Sequence, residues 1–197
     1  MQPDVLVDGR TARRDRNREL VLDAAIELFT ENDLAPDAAS VAGRSGVSLR
    51  SVYRYFEDHD ALVRAAIARH AERIAPLMIV PDLGVGSFDD RLARFVNQRM
   101  RVYEAEAPTA RVAVLRAPNN PPLREQLERL RVTLRTQTEA MFEPELGVMG
   151  VPERRALSAA MDALLQFESI EHLRVRRDLS TAQTADVLRR ALTALLT

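Results

Sequence analysis

Between residues 49 and 56 the helical period sorts the side chains into two sets. Leu49, Val52 and Phe56 fall on one side, and Arg50, Ser51, Arg54 and Tyr55 are left on the other. The second set carries the chemistry of duplex reading. Arginine can fork to a guanine edge, a serine hydroxyl suits base or phosphate, and a tyrosine hydroxyl binds phosphate oxygen. The competing reading is an ordinary polar face on a surface helix. Ser48 caps this short helix, Gly46 supplies a turn before it, and Asp37 can cap a preceding helix that runs through Arg44. Two short helices joined in this way have helix-turn-helix spacing, which places the second helix in a DNA major groove.

These residues need a frame. Val21, Ala24, Ala25, Leu28 and Phe29 recur at i, i+3, i+4, i+7 and i+8, one apolar face of a first helix that Asn32-Asp33 and Pro36 end. Arg10, Arg13, Arg14, Arg16 and Arg18 precede that face. They read either as an arm reaching a minor groove or flanking phosphates, or as a solvated run. Residues 1–9 show no period and are expected to be disordered. Asp58 opens a fourth helix through Leu62, Ala66 and Ile74, and Pro81–Gly86 is a linker. Further helices are expected over 88–106, 109–117, 122–142, 153–177 and 181–196, with Pro108 separating the first two and Ser180 capping the last. No strand-like alternation appears, so the fold class is all-α with about nine helices.

The chain has 197 residues, 46% hydrophobic and 29% charged, with a net charge of −1, so binding to nucleic acid must come from a local patch. All 28 basic residues are arginine. There is no cysteine, and His59, His70 and His172 lie far apart, so neither a thiol site nor a metal site is expected. No catalytic triad order or carboxylate pair stands out, and Gly84-Val85-Gly86-Ser87 is too short for a phosphate loop. Neither an enzyme nor a cofactor is therefore expected. No apolar run is long enough to span a membrane and the N-terminus lacks a signal-peptide core, which gives a cytoplasmic expectation.

The pattern Arg18-x-x-x-Leu22-x-Ala24-Ala25-x-x-Leu28-Phe29, followed by Val41-Ala42-x-x-x-Gly46-Val47-Ser48-x-x-x-Val52-Tyr53-x-Tyr55-Phe56-x-x-x-x-x-Leu62, resembles the TetR family of bacterial transcriptional regulators. The resemblance covers about residues 10 to 75. It implies a three-helix DNA-binding head at residues 10–57, with its helix-turn-helix at 37–56, and a connecting helix at 58–80. It further implies a larger ligand-binding and dimerisation domain at 81–197. Tyr53 and Tyr55 take the positions of phosphate-touching residues, Arg44 that of a phosphate-contacting arginine, and Arg50 and Ser51 the base-facing side. Ser48, Arg54 and His59 complete the expected DNA-binding set. Three departures from the family pattern matter. Asn32-Asp33 replaces the glycine usual after the first helix, where Asn can take the left-handed turn at modest cost. Asp37 replaces a usual threonine and would repel phosphate, and His59 replaces a usual lysine. If His59 faces phosphate, operator affinity should rise below pH ~6.5 as the imidazole gains charge.

The second half is expected to hold a small-molecule effector. Phe95, Arg99, Met100 and Tyr103 share one helix face, Gln126, Thr133 and Gln137 another, and Glu168 and His172 continue a third stripe. These nine could enclose a mostly apolar ligand, or Arg99 and Glu168 could simply form an internal salt bridge. The last two helices offer Ala160, Ala163, Phe167 and Ile170, then Leu188, Ala191, Leu192 and Leu195, as the expected homodimer interface. The resulting expectation is a homodimeric regulator of double-stranded DNA, a repressor of a near-palindromic operator released by an effector. The alternative is a helical adaptor that keeps the head without binding DNA.

Overall fold

A computed structural model describes residues 9–197, so residues 1–8 of the expected disordered segment lie outside the described residues. Ten helices run in order: α1 Gly9–Thr30, α2 Ala38–Ser45, α3 Leu49–Tyr55, α4 His59–Ile74, α5 Phe88–Arg116, α6 Pro121–Met141, α7 Glu143–Leu146, α8 Val151–Leu165, α9 Phe167–Glu171 and α10 Thr181–Leu196. There is no strand among the described residues. Nor is any described helix long and apolar enough to cross a membrane.

The head is set by its caps. Asn32 takes a left-handed conformation (φ 67°) at the end of α1, which asparagine tolerates better than most residues. Asp37 accepts from the Ser40 amide at 2.7 Å and starts α2, and Gly46 ends it at φ 68°. Ser48 and Asp58 cap α3 and α4 in the same manner. Removing the Asp37 cap should cost about 0.5–2 kcal/mol. Asp37→Ala is therefore expected to lower the melting temperature by a few degrees, while Asp37→Asn, which keeps an acceptor, stays close to the parent.

Two apolar cores result. The first joins α1 to α4 around Phe29, Val52, Phe56 and Leu62, and also takes in Val112 and Ala113 of α5 and Leu123 of α6. The second lies in the body, where Phe95, Phe142, Met161, Leu188 and Leu192 meet. Head and body thus share α5.

Three expectations about helices are corrected. The arginine run from residue 10 does not precede the first helix but lies within it, since α1 is already helical from Gly9. Helix α5 does not stop at Pro108 but continues for 29 residues to Arg116. A proline inside a helix costs about 3 kcal/mol; here burial on both sides of it, from Leu92 to Ala113, offsets that cost. Polar side chains also serve the carbonyls beside it. His70 donates to the Ala105 carbonyl at 2.8 Å, and Thr109 Oγ1 donates to that of Glu106 at 3.0 Å. Conversely, the expected single helix over 153–177 breaks at Gln166, whose backbone is extended (ψ 150°), and a π-helical turn over His172–Arg176 ends its second part. Neither Gly nor Pro marks that break. Ser169 Oγ caps the Ala163 carbonyl it leaves exposed, at 2.6 Å.

Candidate nucleic-acid interface and ligand cavity

The charges of the head are sorted by face. Glu19, Asp23 and Glu27 of α1 and Glu31 just after it recur every fourth residue and so form one stripe. Three arginines answer them. Arg69 reaches Asp23 at 2.7 Å and Glu19 at 3.7 Å, and Arg73 also binds Asp23. Arg44 forks to both Glu31 oxygens at 2.7 Å and lies 3.6 Å from Glu27. The Arg69 guanidinium beside Asp23 holds that carboxyl below its ordinary value, against some opposition from burial.

On the other side, Arg13, Arg14, Arg16 and Arg18 of α1 and Arg50 and Arg54 of α3 are exposed, and none pairs with an acid among the described residues. Tyr53 is 60% exposed, a high value for a tyrosine. Arg54 lies 5.3 Å from the Tyr55 ring centre and donates to its hydroxyl at 3.3 Å. Asn17 and Arg14 approach that same hydroxyl from α1. Arg18 covers Phe56 at 5.2 Å. The N-terminal part of α1 and the outer face of α3 therefore make one basic, hydroxyl-bearing surface. Ser51 is half-buried beside Ser48, their hydroxyls 3.0 Å apart at the start of α3.

Two of the expected contacts sit elsewhere. Arg44 would have to leave its fork with Glu31 to reach a phosphate. His59 does not present its ring outward: Nε2 donates to the Pro36 carbonyl at 2.7 Å, and Arg116 approaches Nδ1 at 3.4 Å. Arg116 also bonds Asp60 at 3.2 Å. The imidazole is a strut between the α1–α2 turn, α4 and the end of α5. With both nitrogens engaged there, the expected gain of affinity in acid loses its geometric basis.

The body holds a cavity of about 310 Å³ between α4, α5, α6 and the start of α9. Its walls are largely apolar, with Ile67 and Ile74 from α4, Val114 from α5, Leu130 and Leu134 from α6, and Phe167. Among the expected ligand residues, Gln126, Thr133 and Glu168 line it. The others do not. Phe95 is a core residue meeting Phe142 edge-on at 5.4 Å, and Met100 is buried beside it in the same core. His172 is exposed. Tyr103 stacks on Phe167 at 5.6 Å and donates to Glu171, which Arg111 also holds at 2.8 Å. Burial, first of all, and the Glu171 carboxylate push the Tyr103 hydroxyl pKa up.

Arg99 is not part of the cavity wall and forms no ion pair with an acid among the described residues. It donates to Gln137 and to the Leu134 carbonyl, each at 3.0 Å, and lies 4.4 Å over the Phe95 ring. Gln137 and Gln98 then donate to the Met78 and Leu77 carbonyls. Arg99 and Gln137 thus tie the turn after α4 to α5 and α6. Burial lowers the Arg99 pKa to about 10. Glu168 pairs with Arg131 at 2.7 Å instead, at the exposed edge of the cavity.

Two groups escaped the sequence reading. Arg91 is buried at the start of α5, donating to the Met141 and Gly86 carbonyls and to Glu145. Its place on the apolar face with Leu92 and Phe95 was the available signal. Glu106, 8% exposed, lines the cavity.

The expected dimer surface divides in two. Leu188 and Leu192 are wholly buried and Ile170 is 3% exposed, all within the subunit's own core. They are therefore not free to meet a partner: a terminal amphipathic helix first covers its own subunit. Phe167 is taken by Tyr103. Ala160, Ala163, Ala191 and Leu195 stay partly or fully exposed.

Residues 21–66 match the family model for bacterial regulatory proteins of the tetR family. No curated protein sequence matches the chain. Solved structures share the fold. A proposed TetR-family transcriptional regulator from Rhodococcus sp. has a TM-score of 0.69 at 18% identity, covering 92% of this chain and 100% of that one. A tetR-family transcriptional regulator from Streptomyces coelicolor gives 0.66 at 20% identity, covering 90% and 81%.

Proposed function

From the premise that this chain carries the DNA-binding head of the tetR family of bacterial regulatory proteins, we propose that it represses transcription as a homodimer on a near-palindromic operator and is released by a small-molecule effector. DNA-binding regulation follows from the head. Repression, operator symmetry and release are the finer reading. One observation supports it: Arg13, Arg14, Arg16, Arg18, Arg50 and Arg54 are exposed and pair with no acid among the described residues, while Arg44, Arg69 and Arg73 on the opposite side are matched to acids. An adaptor without a duplex to bind has no use for that asymmetry.

Within this reading, Arg50 and Ser51 meet base edges, Tyr53, Arg54 and Tyr55 the phosphates, and Arg13 to Arg18 a flanking backbone. Helices α8 and α10 pair with their twins through Ala160, Ala163, Ala191 and Leu195, giving a four-helix interface. Two heads so related read half-sites about one helical turn (~34–36 Å) apart or slightly more.

Selection of bound fragments from random duplex DNA tests the whole reading. A motif with two-fold symmetry is the expected result; retention of no sequence at low salt would leave the adaptor. The selected duplex then serves a second measurement. Each phosphate contact contributes about 0.9 to the slope of log affinity against log salt. Arg14→Ala, acting in both heads, is expected to flatten that slope by about 2.

A further inference from the structure

The cavity has a single buried charge among its walls. Glu106 is 8% exposed, and neither a hydrogen bond nor an ion pair from a described residue reaches its carboxylate. Arg99, on the same helix, lies two turns away (~10 Å of rise) and donates to Gln137 and Leu134 rather than to Glu106. His70 of α4 is turned to the Ala105 carbonyl. From α6, Arg131 is bound to Glu168 of α9, and Arg129 is largely solvent-exposed beside Glu125. Among the described residues no cation hydrogen-bonds or ion-pairs with Glu106, the buried Arg99 acting on it only through space, and the remaining inner wall is mainly aliphatic. A carboxylate left in such a place is costly unless something pairs with it.

We propose that the cavity takes a small organic cation, an ammonium or amidinium group on an apolar body, with its charged nitrogen held by Glu106. The assignment rests on the reading of this cavity as the effector site. At about 310 Å³ the space falls at the small end of the range for ligand pockets, and the aliphatic walls take the apolar body. One buried carboxylate, with the other lining acid Glu168 at the exposed edge and paired to Arg131, matches a single positive charge rather than a hydrated metal ion, which needs several oxygen ligands. Gln126, Thr133 and Thr109 supply the neutral polar contacts.

The pairing carries a pH signature. Burial raises the Glu106 pKa to about 7, with the Arg99 charge opposing and Glu168 adding to the rise. The cation needs the ionised form, so binding releases a proton and is about tenfold weaker at pH 6 than at pH 8.

Calorimetry on the full chain with 4-phenylbutylammonium, 4-phenylbutanol and 4-phenylbutanoate tests the assignment. The ammonium is expected to bind at least 30-fold tighter than the alcohol, and the carboxylate least. Glu106→Gln should abolish that preference and leave alcohol binding within about twofold, which also shows the cavity intact. Equal binding of ammonium and alcohol by the parent chain, or an unchanged ammonium affinity in Glu106→Gln, would overturn the cation and leave the cavity as a site. Binding of none of the three would overturn both.

Discussion

Arg50→Ala is expected to weaken binding to the selected operator by between ~30-fold and ~10⁴-fold. A bidentate arginine–guanine contact discriminates by about 1–3 kcal/mol, and a two-fold dimer loses it twice, so 2–6 kcal/mol goes at once. The side chain is exposed and pairs with no acid among the described residues. Its loss therefore leaves folding and assembly untouched. Affinity for a scrambled duplex should change far less, since only one charge per head is lost. Tyr53→Phe, by contrast, removes a phosphate-directed hydroxyl and should weaken both duplexes alike. Fluorescence anisotropy at one fixed salt concentration, on both duplexes, separates the two patterns. An Arg50→Ala dimer that holds its operator as the parent does would remove α3 from the base edges.

The second large effect concerns stability. The Glu106 carboxyl is raised from 4.5 to about 7 by burial. A raised acid pKa means the folded chain holds its proton over a range where the unfolded chain has released it. Below pH 4.5 both states are protonated and the group is neutral in its effect. Between pH 4.5 and 7 stability falls as pH rises, and above pH 7 the full loss of about 3 kcal/mol is present. Glu106→Gln removes the titration. The variant should melt close to the parent at pH 5 and several degrees higher at pH 8. A gap between the two that does not widen with pH would show that the carboxylate is already compensated. The acids paired on α1 have the opposite sign. The stabilisation from Asp23, whose pKa is lowered chiefly by Arg69, is present above its unfolded value and fades as pH falls through the folded one.

What was legible in the sequence was local. Asp37, Ser48, Asp58 and Ser180 each start a helix as their side chains demand, and Asn32 and Gly46 take the left-handed turns. These outcomes depend on a few neighbouring atoms. What was not legible depended on distant partners. Pro108 reads as a helix end because its local cost is high, and only the packing around α5 overrules it. That one reading ended a helix at residue 106, whereas Glu106 lies inside α5 as a wall of the cavity. The break at Gln166 has no local sign at all. His59 matched a DNA-facing position by resemblance, but Pro36 and Arg116, from elements far along the chain, claim both its nitrogens. Arg99 was rightly seen to need partners, which turned out to be amides and a carbonyl rather than Glu168. The acidic stripe on α1 could have been found from its spacing of four.

One consequence follows from where Pro108 sits. A helix missing a backbone bond is softest at that point, and here the soft point falls two residues beyond Glu106 and eight before Arg116. Eight residues make an arm of about 12 Å. Pivoting that arm by 5° carries its tip through ~1 Å, enough to part the 3.2 Å contact with Asp60 and the 3.4 Å contact with His59. The proline is a fulcrum, and it gives a small displacement beside the carboxylate its mechanical gain at the root of α4.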